Sequence, residues 1–142
     1  MEKNMEFLNH LYRNAKIGEE SMGTLLKSVE DDELKRDILT QMEGYTKFES
    51  KAKERIRELG GEPEEPGLMK KMMVSGGVKM NTATNHTPKH IAEMLIQGST
   101  MGIIEAKESL SKFEEAERQD RALAEELVRF EQGNIERLKE YL

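Results

Sequence analysis

Apolar residues recur along this chain at steps of three and four, and no stretch alternates apolar with polar for long enough to make a strand. The first stripe carries Leu8, Leu11, Tyr12, Ala15, Met22, Leu25, Leu26 and Val29, which predicts a helix over residues 4–28. A second helix reaches residue 59, with Ile38, Met42, Tyr45, Phe48, Ala52, Ile56 and Leu59 facing inward. Asp31 or Asp32 can cap it, and Glu33 suits the positive end of its dipole. Gly60 and Gly61 stop it, and Pro63 prevents its resumption. Thr87-Pro88 opens a third helix with a hydroxyl cap and a proline in the first turn. Its inward stripe is Ile91, Met94, Leu95, Gly98, Met101, Gly102, Glu105, Leu110 and Phe113. The fourth helix should begin near Asp120 and face inward with Leu123, Leu127, Phe130, Asn134, Leu138 and Tyr141.

Four such helices predict an all-α antiparallel four-helix bundle in one domain, residues 1–142. It divides into a helical hairpin over 4–59, a crossover over 60–87 and a second hairpin over 88–141, with turns near residues 30 and 118. The crossover between helices two and three is long enough to run the length of the bundle. Folding back locally instead, it would give a simple up-down-up-down order. Within it, Pro66 can open a short helix with Leu68, Met69, Met72 and Met73, ended by Gly76 and Gly77, and residues 81–86 read as loop. The two hairpins share a layout, but Gly18-Glu19 against Gly102 to Glu105 and Phe48-Glu49 against Phe130-Glu131 align at different offsets. That disfavours a simple internal duplication.

Composition narrows the function classes. The chain has 142 residues, is 35% charged and 5% aromatic, and carries a formal net charge of -6, which suits long amphipathic helices and disfavours nucleic acid. Lys70-Lys71 is a pair and not a patch. The absence of cysteine excludes disulfides, thiolate metal sites and a cysteine nucleophile, and it fits a reducing compartment. With no signal-peptide pattern and no span-length apolar run, the expected location is cytoplasmic and no membrane partner is expected.

The candidate chemistry lies in four glutamates. Glu19 and Glu43 flank the first predicted turn, and Glu105 and Glu131 the second, each by about a dozen residues, or roughly 18 Å of helix. In a bundle this spacing puts all four near one central layer, where carboxylates can bridge and neutralise two hard cations. Glu19 and Glu105 take the places of single glutamates. Glu43-Gly44-Tyr45-Thr46 and Glu131-Gln132-Gly133-Asn134 take the places of paired Glu-x-x-His ligands, with Thr46 and Asn134 where histidine would stand. In this layout the chain resembles the ferritin-like superfamily, rubrerythrin relatives included, with both Glu-x-x-His motifs missing. The resemblance implies a ferritin-like fold and ancestral iron or peroxide chemistry, with Glu19, Glu43, Glu105 and Glu131 as metal ligands and iron or manganese as the metal. Glu49 lies nearer the centre of its stripe and is a substitute carboxylate.

The missing imidazoles weigh against a working metal centre. The expected outcome is a relic site with no cofactor, held by hydrogen bonds from Tyr12, Tyr45 and Asn134, because a buried glutamate without a cation must be hydrogen-bonded or protonated. The expected role is therefore a non-catalytic interaction or structural one, with a homodimer or another protein as partner. A carboxylate-bridged di-metal protein or oxidase is the alternative. His86 and His90 are four apart, but Thr87-Pro88 breaks the helix between them, and His10 is isolated. The run Gly98-Ser99-Thr100-Met101-Gly102 permits either close approach of a neighbouring segment or space for a small ligand or dimer partner. Met69, Met72, Met73 and Met80 would cover the core or form an adaptable surface. No catalytic motif, Ser-His-Asp arrangement or phosphate loop is present, so no catalytic residue is expected.

Overall fold

The computed structural model describes residues 2–67 and 85–142. The expected short helix over 68–73 and the stretch that follows it, with Met80 and the loop residues 81–84, lie outside the described residues. Four helices form: α1 (Glu2–Leu26), α2 (Asp32–Glu58), α3 (Pro88–Lys112) and α4 (Arg118–Leu138), the last continued by a short 3-10 turn, Lys139–Tyr141. There is no strand among the described residues.

The helix boundaries have local causes. Asp31 caps α2, its carboxylate accepting the Leu34 N–H at 2.8 Å. Gly60 adopts φ +86°, and the Gly60 and Gly61 N–H groups turn back to the Arg57 and Ile56 carbonyls at 3.0 Å each. This paired closure satisfies carbonyls left open by the end of the helix. Thr87 caps α3 through His90 N–H at 3.2 Å, and Pro88 follows it. Helix α1 lies two residues earlier than expected at both ends, Glu2–Leu26 against 4–28, and the second turn occupies residues 113–117, so α4 begins at Arg118 and not near Asp120. Asn4 accounts for the shift of α4: its side-chain oxygen accepts the Glu117 N–H at 2.7 Å, which fixes the start of α4 against the start of α1.

Packing sets the helix order. The hairpin contacts α1–α2 and α3–α4 are the largest, followed by α1–α3 and α2–α4, and the diagonal contacts are slight. The start of α1 meets the end of α3 where Phe7 packs edge-on against Phe113, their ring centres 6.0 Å apart. The end of α2 meets the start of α4 where Arg55 pairs with Asp120, and the opposite ends meet where Arg137 pairs with Asp37. Thus α3 runs antiparallel to α1 and α4 antiparallel to α2, so the chain between α2 and α3 passes from one end of the bundle to the other. This is an antiparallel four-helix bundle with one long crossover. The described start of that crossover lies on α1. Glu64 N–H reaches Asn9 Oδ1 at 2.8 Å, and Tyr12 donates to Glu65 at 2.9 Å.

The core runs through all four helices. Phe7, Leu8, Tyr12, Leu34, Ile38, Ile56, Ile91, Leu127 and Leu138 are essentially inaccessible. Phe7 and Leu34 extend the predicted stripes, whereas Met101, predicted to face inward, is 57% exposed. No described helix is long and apolar enough to cross a membrane.

Two glycines give a direct check on packing. A Cβ on Gly44 would lie 2.2 Å from the Phe130 ring, which is held by Tyr45 and Phe48 with ring centres 5.1 and 5.4 Å away. A Cβ on Gly133 would meet nothing within 4 Å. Gly133→Ala should therefore stabilise the protein by up to about 1 kcal/mol. Gly44→Ala should destabilise it by about 1 kcal/mol, because overpacking outweighs the gain in helix propensity. Parallel urea titrations of the two variants measure the difference in sign.

Candidate functional site

Glu131 is the centre of the site. It comes from the middle of α4, is 1% exposed, and lies among core residues. Tyr45, on α2, donates its hydroxyl to Glu131 Oε1. The other carboxyl oxygen lies over Gly102 on α3, where a Cβ would stand 1.8 Å from it. Asn14, on α1, donates to the Gly102 carbonyl at 3.1 Å. The Tyr45 ring is accommodated by Gly18 on α1, whose Cβ would lie 2.7 Å from it. Glycines on α1 and α3 thus make room for the two polar side chains projecting from α2 and α4. Burial pushes the Glu131 carboxyl up to about 8, so at neutral pH it is mostly the protonated acid.

Beside Glu131 is a cavity of about 280 Å³ between α1, α3 and the ends of the Tyr45 and Glu131 side chains. Met22, Leu25, Met94 and Leu95 supply its apolar wall, and Ser99, Gly98, Gly102 and Glu105 supply the α3 side. Gly102 admits a close neighbour, whereas a Cβ on Gly98 would meet nothing within 4 Å. Ser99 is 2% exposed, and its hydroxyl has no hydrogen-bond partner among the described residues.

The other predicted ligands are arranged differently. Glu105 is half-buried and lines the same cavity as Glu131. Glu19 is half-buried on α1, with its Oε2 3.1 Å from the Thr46 hydroxyl, which also lies 3.0 Å from the Met42 carbonyl. Glu43 is exposed on the outer side of α2. Helical geometry explains this: Tyr45 takes the inward position, and Glu43, two residues earlier, is rotated about 200° away. Glu49 is buried, 6% exposed, with Lys16 Nζ 3.4 Å from its Oε1. Its carboxyl is raised to about 8, by burial first and by Glu19 second, against the opposing pull of Lys16. Asn134 is buried on the Glu131 face of α4, and its Nδ2 has no hydrogen-bond partner among the described residues. Tyr12, expected to serve the glutamate layer, donates to Glu65 instead.

The donor set does not fit a pair of metal ions. Such a site needs carboxylates converging from all four helices and imidazoles to complete each sphere. Here one of the four carboxylates faces solvent, Thr46 is hydrogen-bonded to Glu19, and Tyr45 occupies one oxygen of Glu131. Among the described residues, no three Asp, Glu or His side chains come together as a metal-holding group. His10 lies against Phe113, with ring centres 5.6 Å apart, and His86 lies at the α1 end near the Ser28 carbonyl, 3.4 Å away. Neither approaches Glu131 closely enough to line its cavity. What the cavity holds is a neutral carboxyl and a free hydroxyl within apolar walls, an arrangement suited to binding.

Two features of the site were not evident from glutamate spacing. Gly18 and Gly44 lie in the helix interiors opposite aromatic rings, and mid-helix glycine is itself the sequence signal for such close approach. The Arg55–Asp120–Asn4 network at one end of the bundle gives no periodic signal. Asp120 is 1% exposed, takes Arg55 Nε at 2.7 Å and Nη2 at 3.0 Å, and accepts Asn4 Nδ2 at 2.5 Å.

No curated protein and no solved structure matches the chain. Residues 3–112, more than half of the chain, match a family model. The match ends with α3, and α4, which supplies Glu131, follows it. The chain belongs to the family described as Domain of unknown function (DUF2383).

Proposed function

We propose that this chain is a ferritin-like helical bundle with a degenerate metal layer, acting through interaction or structure and not through catalysis. The observation that carries the reading is the divergence of the candidate ligands: Glu131 points into the core toward Tyr45 while Glu43 faces solvent. Thr46 and Asn134 offer neutral groups where imidazole nitrogens would be required, and neutral oxygens hold Fe(II) weakly. The exposed Met101 and Ile104 on α3 support an interaction role, with a second copy or another protein as partner. A cytoplasmic location, with neither nucleic acid nor membrane as partner, belongs to the same reading and is supported by the net charge of -6 and the lack of cysteine.

A second reading has one observation in its favour. Glu105 and Glu131 line one cavity, and Glu49 is a buried carboxyl beside Glu19, so a rearranged carboxylate set could bridge iron or manganese. The two readings part in a direct experiment. Metal-free protein is mixed with Fe(II) in air, and oxidation is followed by absorbance against a protein-free control. The proposal expects no acceleration. Saturable, stoichiometric acceleration that is lost in Glu105→Ala or Glu131→Ala would overturn it and establish an oxidase.

A further inference from the structure

We propose that the cavity between α1 and α3 is a binding site for a small organic ammonium ion with an apolar body, its nitrogen seated at Glu131 and Ser99. Met22, Leu25, Met94 and Leu95 line the cavity with apolar surface, which suits an aliphatic or aromatic body. Its volume of about 280 Å³ admits a small organic molecule. Among its polar groups, Asn14 and Tyr45 already donate to the Gly102 carbonyl and to Glu131, and Ser21, Ser99, Glu105 and Glu131 complete the lining. Glu131 lies at the inner end, Ser99 has a buried hydroxyl with no partner among the described residues, and Glu105 supplies a second carboxyl.

The charge pattern selects among ligand classes. The lining contains two carboxyl side chains and no lysine, arginine or histidine. An anionic head would find no counter-charge. A wholly apolar guest would leave Ser99 unsatisfied and gain nothing from Glu131. An ammonium group donates in three directions, so it can serve Glu131 Oε2 and the Ser99 hydroxyl together. An opposite charge in contact also favours the ionised form of a carboxyl, so the bound cation and the Glu131 carboxylate stabilise one another. Tyr45 completes the arrangement by donating to Oε1, which leaves Oε2 for the ligand. Gly98 lines the cavity without a side chain, and a Cβ there would meet nothing within 4 Å.

This inference rests on the reading that Glu131 is not a metal ligand, so the experiment uses metal-stripped, full-length protein and no iron. Failure to bind an amine leaves the iron-oxidation result standing, and iron oxidation would be detected without any amine. Hexylamine, hexanol and hexanoate are titrated separately into the protein by calorimetry, with amide chemical shifts recorded in parallel. Hexylamine should bind with single-site saturation and shift the Gly98, Ser99 and Gly102 amides. Hexanol should bind about tenfold more weakly or worse, and hexanoate should not bind. Glu131→Gln, similar in shape and able to keep the Tyr45 contact, should weaken hexylamine at least about tenfold while leaving hexanol little changed. Gly98→Leu, which fills the cavity without touching a charge, should abolish binding of both. It also tests the site should Glu131→Gln not fold. Equal affinity for hexylamine and hexanol, binding that survives Gly98→Leu, or no binding of hexylamine would each overturn the proposal.

Discussion

Raising the pH from about 5 to about 8 should destabilise the folded bundle by several kcal/mol, and Glu131→Gln should remove much of that loss. The cause is the burial that raises the Glu131 carboxyl from its ordinary 4.5 to about 8. Below 4.5 the group is protonated in both folded and unfolded chains, and its contribution to stability is fully present. Between 4.5 and 8 the unfolded chain releases the proton while the folded chain keeps it, so each added pH unit favours unfolding by up to about 1.4 kcal/mol. Above 8 both forms are ionised and the contribution is lost. The groups facing Glu131 from the other helices are Tyr45 from α2 and Glu105 from α3, and α1 contributes the neutral Asn14. None supplies a positive charge that would reverse the sign. Glu49 contributes in the same direction, since its carboxyl is also raised, and Glu49→Gln is the matching control. Urea titrations at half-unit pH steps measure the slope for the wild type and both variants. A wild-type stability flat from pH 5 to 8 would contradict the burial argument.

Asp120→Ala should cost about 3 kcal/mol, among the largest single-site losses in the molecule. Asp120 is almost wholly buried and joins three segments: Arg55 at the end of α2, Asn4 at the start of α1, and its own first turn of α4. Its removal leaves a partly buried guanidinium with only the exposed Glu58 and Glu117 as partners, and it also strands the Asn4 amide. The hydrogen bond to Asp120 is the main reason the Arg55 guanidinium is held so firmly in its charged form. The penalty reflects a broken pair more than the worth of the pair itself. Arg55→Met combined with Asp120→Leu should therefore recover most of the loss. At the opposite end, Arg137 meets Asp37, Glu33 and Glu140, but it is exposed, and Arg137→Ala should leave stability nearly unchanged. Denaturation midpoints at unchanged slope for the three variants test the contrast.

Much of the fold was legible because α2 and α3 carry local start or stop signals. Asp31, Gly60 and Thr87-Pro88 act through local backbone chemistry that sequence states directly. The second turn was misplaced by a few residues because its position depends on Asn4, more than a hundred residues away, binding the Glu117 N–H. No local signal encodes such a contact. The placement of residues 64 and 65 along α1 likewise depends on contacts with Asn9 and Tyr12, more than fifty residues away.

The candidate site was legible only in part. Glu131 was identified by its distance from the second turn, although the predicted inward stripe of its helix omits it, and Glu105 by the same spacing and by its place on the α3 stripe. Distance from a turn alone could not tell that Glu43 faces solvent, because two residues of helical rotation separate it from Tyr45. The glycines at 18 and 102 held the missing information, since each permits the side chain of a specific partner helix to reach the centre.

The central claim is that Glu131 is a neutral, hydrogen-bonded acid and not a metal ligand. The most direct measurement is a carbon-13 titration of the Glu131 side-chain carboxyl, assigned by Glu131→Gln, with and without Mn(II). The account predicts a midpoint near 8, with no selective broadening of this resonance when Mn(II) is added. A midpoint near the ordinary glutamate value, or a resonance that broadens at stoichiometric Mn(II) together with those of Glu19 and Glu105, would contradict it.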